Sequence, residues 1–241
     1  MVRRLLASGA MVLACSGSAF AQDMVIGGNI GGFLVRNEES RDRDPDYNDN
    51  LAQGDVLRNN RTFLAFEIDE FDSMTFGGDF AVSVGSFVEV GVGLNYSQTT
   101  VPSINDAYFD EDGTEIFMEM KQKIVPLALT AKLFPLTRDA NFQPYVGGGV
   151  QFNRWQYTEV GEFLDYDTGE IFRDSFTDDG VETGPIFLAG VRFPVGSNML
   201  LGGEWRYATA KADLDPSLGF YGSTLDLGGH SWLFTIAYKF K

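Results

Sequence analysis

Ser231-Trp232-Leu233-Phe234-Thr235-Ile236-Ala237-Tyr238-Lys239-Phe240 decides the fold. Trp232, Phe234, Ile236, Tyr238 and Phe240 share one parity. Ser231, Thr235, Ala237 and Lys239 share the other, with Leu233 as the exception. Side chains alternate across a strand with period two. A soluble strand turns such an apolar face to a core, whereas a strand of a membrane barrel turns it to lipid and its polar face to a lumen. Seven earlier segments alternate in the same way, at 24–36, 73–84, 87–99, 115–134, 143–157, 184–194 and 199–212, before this last one at 230–240.

Parity assigns the lipid-facing set. It contains Phe76, Phe80, Val82 and Val84; Val88, Val90, Val92, Leu94 and Tyr96; Val125, Leu127, Leu129, Ala131 and Leu133; Val146, Val150 and Phe152; and Leu201, Trp205 and Tyr207. The sixth segment is apolar on both faces, so its register rests on Arg192 pointing inward. Glu119, Lys121 and Lys123 have lipid-facing parity, and charges are costly at mid-membrane. They are expected above the bilayer, in a strand extension. The connections Val84-Gly85-Ser86, Pro135 to Asn141 and Pro194 to Asn198 are short. Those at 37–72, 100–115, 158–183 and 212–230 are long and read as loops. Short periplasmic turns alternating with long extracellular loops are the signature of an outer-membrane barrel. Within the first loop, residues 61–71 fit either a strand extension or a short amphipathic turn.

No stretch after residue 22 approaches the 18 or so apolar residues of a membrane-crossing helix, so a membrane-embedded chain must close its strands into a barrel. At the N-terminus, Arg3 and Arg4 precede a short apolar run that ends in Ala19-Phe20-Ala21. This predicts a secretory leader over 1–21, cleaved before Gln22. Lipidation at Cys15, the only cysteine, is the rival, although the bulky Leu13 fits a lipoprotein box poorly. The mature chain then has no thiol or disulfide. The four long connections hold 28 acidic and 5 basic residues, a net charge of −23. That excludes a nucleic-acid partner, which needs a basic surface.

The inward parity gathers Asp79, Glu89, Lys132, Arg192, Glu204, Arg206 and Lys239. An eight-stranded barrel is just wide enough for side chains to fill, so these charges must pair or be hydrated. An internal ion network is expected. Glycines of the same parity (Gly77, Gly91, Gly93, Gly147, Gly149, Gly190 and Gly202) leave room for water, which keeps a narrow polar pathway open as an alternative.

Pro144-Tyr145-Val146-Gly147-Gly148-Gly149, Val125-Pro126-Leu127-Ala128-Leu129-Thr130-Ala131, Gly203-Glu204-Trp205-Arg206-Tyr207 and the aromatic last strand occur in this order. With them the chain resembles the small bacterial outer-membrane barrels around outer membrane protein W and the transmembrane domain of outer membrane protein A. In pattern the resemblance spans about residues 22–240. It implies insertion in the bacterial outer membrane through the barrel assembly machinery, which reads a terminal aromatic residue. Phe240 takes that place, followed here by Lys241. Tasks in such families range from anchoring to the passage of small apolar molecules, so fold does not fix function.

Little catalytic chemistry is present. The single histidine, His230, precedes Ser231, and neighbours on a strand point to opposite faces, so they make a poor nucleophile–base pair. No phosphate loop or Cys/His metal cluster occurs, and no cofactor is implied. Asp44, Asp46, Asn48, Asp49 and Asp55, and Asp110, Glu111 and Asp112, carry oxygen ligands suited to Ca²⁺ or Mg²⁺. The first set lacks the glycine and final glutamate of an EF-hand, so a diffuse divalent atmosphere is the expectation.

The sequence therefore predicts an all-β protein, an eight-stranded antiparallel up-and-down transmembrane barrel with short periplasmic turns and long acidic extracellular loops. It is read as a monomer in contact with outer-membrane lipid and lipopolysaccharide, without enzymatic activity. The expected role is structural or interactive in the envelope, with slow passage of small molecules. A solute or hydrophobic-molecule channel and a lipid A-modifying enzyme are the alternatives. A soluble lipocalin-like barrel would need its polar face outward, against the inward ion set.

Overall fold

The computed structural model describes residues 23–41, 54–110, 112–165 and 168–240. The leader and its cleavage site, Cys15, Asp44, Asp46, Asn48, Asp49, Glu111 and Lys241 lie outside the described residues. Eight strands form a closed antiparallel ring: β1 (Met24–Val35), β2 (Ser73–Val84), β3 (Val88–Phe109), β4 (Glu115–Leu133), β5 (Gln143–Leu164), β6 (Ile171–Val195), β7 (Met199–Ala208) and β10 (Gly229–Phe240). Ring order follows chain order. The ring closes where β10 meets β1, in register from Met24↔Phe240 to Val35↔Gly229. Closure leaves no unpaired strand edge, a condition for crossing lipid with strands.

The outer wall is apolar. Ile26, Ile30, Phe76, Phe80, Val90, Leu94, Leu129, Val146, Phe187 and Phe234 are all exposed on it. An apolar belt of this extent marks a lipid contact rather than a water-facing surface. Aromatic residues edge the belt. At the outer rim Trp205 stacks with Tyr207 and His230 and leans on Trp232. At the opposite rim Tyr238 meets Phe240, and Phe142 meets Phe193.

Two segments read as loops are strands instead. The β3–β4 hairpin pairs as far as Phe109↔Glu115, and the β5–β6 hairpin as far as Leu164↔Ile171. β5 alone has 22 residues, about twice what a tilted membrane strand needs. The cause is a reversal of polarity along β4. From Val125 to Leu133 the apolar residues point out. From Ile116 to Ile124 they point in, apart from Phe117, and Ile116, Met118, Met120 and Ile124 are buried. Glu119, Lys121 and Lys123 now take the outer face, Glu119 bonded to Lys121 at 2.9 Å. Water surrounds this upper wall, so its apolar face turns inward like that of a soluble sheet.

The first and last long connections fill the space that the upper wall encloses. The first carries α1 (Glu38–Arg41), α2 (Val56–Asn60) and a 3-10 turn at Ile68–Phe71. Residues 61–71 are thus turn, an isolated bridge at Leu64↔Asn105 and the 3-10 turn, not a strand extension. The last strand-like stretch before β10 also divides. β7 stops at Ala208, and β8 (Lys211–Asp213) pairs with β9 (Thr224–Asp226) as a separate two-stranded sheet. Val56, Leu57, Phe66, Ile68 and Phe71 from the first connection pack with Ala212, Leu214, Phe220 and Leu225 from the last. Met118, Met120, Trp155 and Tyr157 of the wall complete this core. The protein therefore has two storeys, a lipid-embedded barrel with a polar interior and a water-exposed cap with an apolar one.

Candidate functional site

Within the membrane storey, six of the seven residues assigned to the lumen form one connected, charge-balanced set. Glu89 of β3 takes both guanidinium nitrogens of Arg192 from β6, at 2.9 and 2.8 Å. Glu204 of β7 accepts from Lys132 of β4 at 2.6 Å, from Arg206 at 2.5 Å and from the Tyr145 hydroxyl at 2.7 Å. Arg206 reaches on to Asp79 of β2 at 2.9 Å and to the Asn95 side-chain oxygen at 2.9 Å. Asn29 donates to Asp79 and accepts from Asn95. The Tyr145 ring lies under both Lys132 (4.9 Å) and Arg192 (5.0 Å), which joins the two halves of the set. Three acids face three bases, and the paired geometry offsets the desolvation that each charge would otherwise suffer.

Lys239, the seventh, stands apart. Its ammonium bonds Asp23 at 2.8 Å and Asp139 at 3.3 Å, at the periplasmic turns. Parity tells which face a side chain takes but not how deep along the barrel it sits. With Lys239 removed, the central charges balance.

The inward glycines bring neighbouring strands close together. A methyl group at Gly149 would lie 1.9 Å from the Leu129 carbonyl oxygen, and one at Gly190 would lie 2.5 Å from the Tyr145 hydroxyl. Glycine lets neighbouring strands and the Tyr145 ring come closer than any Cβ allows. The lumen holds small cavities of about 30 Å³, among them one beside Glu89, Lys132 and Arg192 and another beside Asn95, Gln151 and Arg206. Each has room for only one or two waters.

In the cap, Asp55 is engaged with backbone and hydroxyl donors. It caps α2, accepting from the Leu57 and Arg58 amides at 3.0 and 3.2 Å, and it also accepts from the Asp226 amide at 3.3 Å and the Ser40 hydroxyl. One carboxylate thereby fastens the first connection to the last. Burial raises its pKa above the usual carboxylate value, against the lowering effect of these bonds. Asp112 is engaged in its own turn with the Thr114 amide and hydroxyl, and Asp110 lies on the same exposed tip. Among the described residues, no three His, Cys, Asp or Glu side chains cluster closely enough to hold a metal ion.

One buried group escaped the sequence reading. Glu159 of β5 was counted among loop acids, yet it points into the cap core and is only 2% exposed. It accepts from Asn60 at 2.5 Å and from the Tyr157 hydroxyl at 2.8 Å. Burial pushes its pKa up to about 7, with these two bonds acting the other way. The signal was present in sequence. Trp155, Tyr157 and Glu159 continue the inward parity of Asn153 without a break.

A closed eight-stranded ring with an apolar belt, aromatic rims and an ion-paired interior defines a bacterial outer-membrane β-barrel. The chain matches the outer membrane protein beta-barrel domain family over residues 7–240, and it belongs to that family. No protein of curated function matches it. Among solved structures it is similar to the outer membrane protein OprG from Pseudomonas aeruginosa, with 16% identity and a TM-score of 0.50, over 91% of this chain and 96% of that one. Neisserial surface protein A gives 10% identity and a TM-score of 0.48, over 90% and 97%. The outer membrane protease OmpT from Escherichia coli gives 9% identity and a TM-score of 0.42, over 93% and 99%. The likeness to OprG is one of fold.

Proposed function

We propose that the protein is a monomeric, non-conducting and non-enzymatic outer-membrane barrel that carries a folded extracellular cap for interaction at the cell envelope. The observation that carries this reading is the double closure of its axis. The ion set crosses the lumen and leaves cavities of about 30 Å³, and the cap core fills the upper opening. This arrangement favours a closed barrel over the passage of small molecules admitted by the sequence. A catalytic role is disfavoured by the placement of the one histidine, since His230 stacks on Trp205 and Tyr207 at the lipid-facing rim. Ser231 takes the opposite face of the strand. Planar-bilayer recording of the purified protein tests the proposal. The expected record has no steady single-channel current, and reproducible ohmic steps would overturn it in favour of a channel.

A further inference from the structure

A third cavity, of about 270 Å³, lies in the cap where the β3–β4 and β5–β6 extensions meet the first and last connections. Phe63, Phe163, Phe176 and Tyr221 line it together with Glu159 and Glu162. We propose that this cavity binds a small organic ammonium ion, with Glu159 as its buried counter-ion and the aromatic rings as its walls.

Glu159 carries the argument. Both of its hydrogen bonds end on Oε1. Among the described residues none donates to Oε2 and no cationic side chain pairs with either oxygen. A buried carboxyl ordinarily has a cationic partner or keeps its proton, and this one holds its proton up to about pH 7. Among the described residues the groups that face it supply no positive charge, and the exposed Arg173 is engaged with Glu162 at 3.2 Å. Tyr157 and Glu162 lie on its own strand, Asn60 approaches from α2, Met118 from β4, Phe176 from β6 and Tyr221 from the last connection. Once ionised, above about pH 7, Oε2 accepts only, so the partner it can take from the cavity is a donor, and a cation is the strongest one.

The walls select the same chemistry. Aromatic faces attract ammonium groups through the ring quadrupole, and Phe163 and Phe176 already meet edge to face at 4.7 Å. The surrounding connections carry the −23 net charge noted above, a field that concentrates cations near the opening. An anion would meet Glu159, and a neutral apolar molecule would leave Oε2 unpaired. Size narrows the class further. A cavity of about 150 Å³ accepts benzene, so this one suits roughly nine to eleven non-hydrogen atoms, the scale of a phenylalkylamine. Binding an ammonium expels the Glu159 proton, so below about pH 7 affinity falls by up to about tenfold per pH unit.

The proposal does not depend on a shut lumen: channel activity would overturn the reading above and leave this one standing. The test is calorimetric titration of the full-length protein in nanodiscs, against protein-free discs. The probes are 2-phenylethylammonium, 2-phenylethanol and 3-phenylpropionate. At about pH 8 the ammonium should bind at least about tenfold more tightly than the alcohol, and the propionate should give no heat. Glu159→Gln should weaken the ammonium by about tenfold or more and spare the alcohol, whereas Phe163→Ala should weaken both. If Glu159→Gln fails to fold, the pH series on the unaltered protein decides, since ammonium affinity must fall between about pH 8 and pH 5.5. Equal affinity for ammonium and alcohol, an ammonium affinity indifferent to pH or to Glu159→Gln, or no ammonium binding at about 10 mM would overturn the proposal.

Discussion

Glu204 and Glu159 are both buried carboxylates with opposite surroundings. Glu204 is enclosed by Lys132, Arg206 and Tyr145. Glu204→Ala would strand two buried cations, at a cost on the order of 3–5 kcal/mol, seen as a lower urea midpoint of the barrel in detergent. Glu159 has no cation, so its effect runs with pH. Its folded pKa of about 7 lies above the ordinary value of 4.5. Above pH 7 the buried charge destabilises the cap. As pH falls from 7 through 4.5 the folded state takes up the proton first, and stability rises by about 3 kcal/mol, complete below the unfolded value. Unfolding of the cap followed by Trp155 fluorescence should show this rise, and Glu159→Gln should flatten it and stabilise the cap at about pH 8. Asp55 and Asp72 are shifted the same way by burial, so some slope persists in the variant. Parity alone placed Glu204, Arg206 and Arg192 inside. It could not give depth, and so it set Lys239 beside groups that lie far from its actual partners, Asp23 and Asp139.

Among the elements, the lower strand ends were legible and the upper ones were not. β2 runs over Ser73–Val84 as its alternation indicates. The β5–β6 hairpin was cut short because its acidic upper half resembles a solvated loop, while its apolar residues had changed sides at the membrane surface. The same geometry makes glycine positions unequal. Gly149→Ala would drive a methyl into the Leu129 carbonyl, whereas at Gly32 nothing lies within 4 Å of the added carbon. The first variant should lose several kcal/mol or fail to assemble, and the second should stay within about 0.5 kcal/mol, judged by heat-dependent gel mobility and urea midpoints. Asp55 is one of several fastenings within the cap, beside the Ser223 and Thr224 amides on the Gly54 carbonyl and the shared apolar core. Removing the Asp55 side chain withdraws the α2 cap, a loss of about 0.5–2 kcal/mol, together with the bond to the Asp226 amide. Hydrogen exchange should then accelerate together in Leu57–Asn60 and in Thr224–Asp226. Acceleration in α2 alone would show that the two connections are held independently.

For the whole molecule, the eight strands, the closed ring and the alternation of short and long connections followed from pattern alone. What the pattern hid was the second, apolar interior, because a lipid-facing template assigns every outward residue one polarity along the full strand. On the proposed reading the two storeys would act as independent barriers. Replacing the upper β5–β6 hairpin with a short turn would dismantle the cap and leave the Glu89–Arg192 and Glu204–Lys132 pairs in place. Bilayer conductance should remain low in that variant, and large steady currents would mean that the cap alone seals the axis. The closing seam has a different consequence, in time rather than in space. Phe240 pairs with Met24, so the ring cannot close until β10 is available to β1. Contacts this distant in sequence make folding slow, and until they form, β1 and β10 each present a free edge open to pairing with another chain. A molecule truncated before Gly229 would keep one edge permanently open. Its fate would then be set by how soon a chaperone or a protease reaches it, not by the strength of any contact described for the finished barrel.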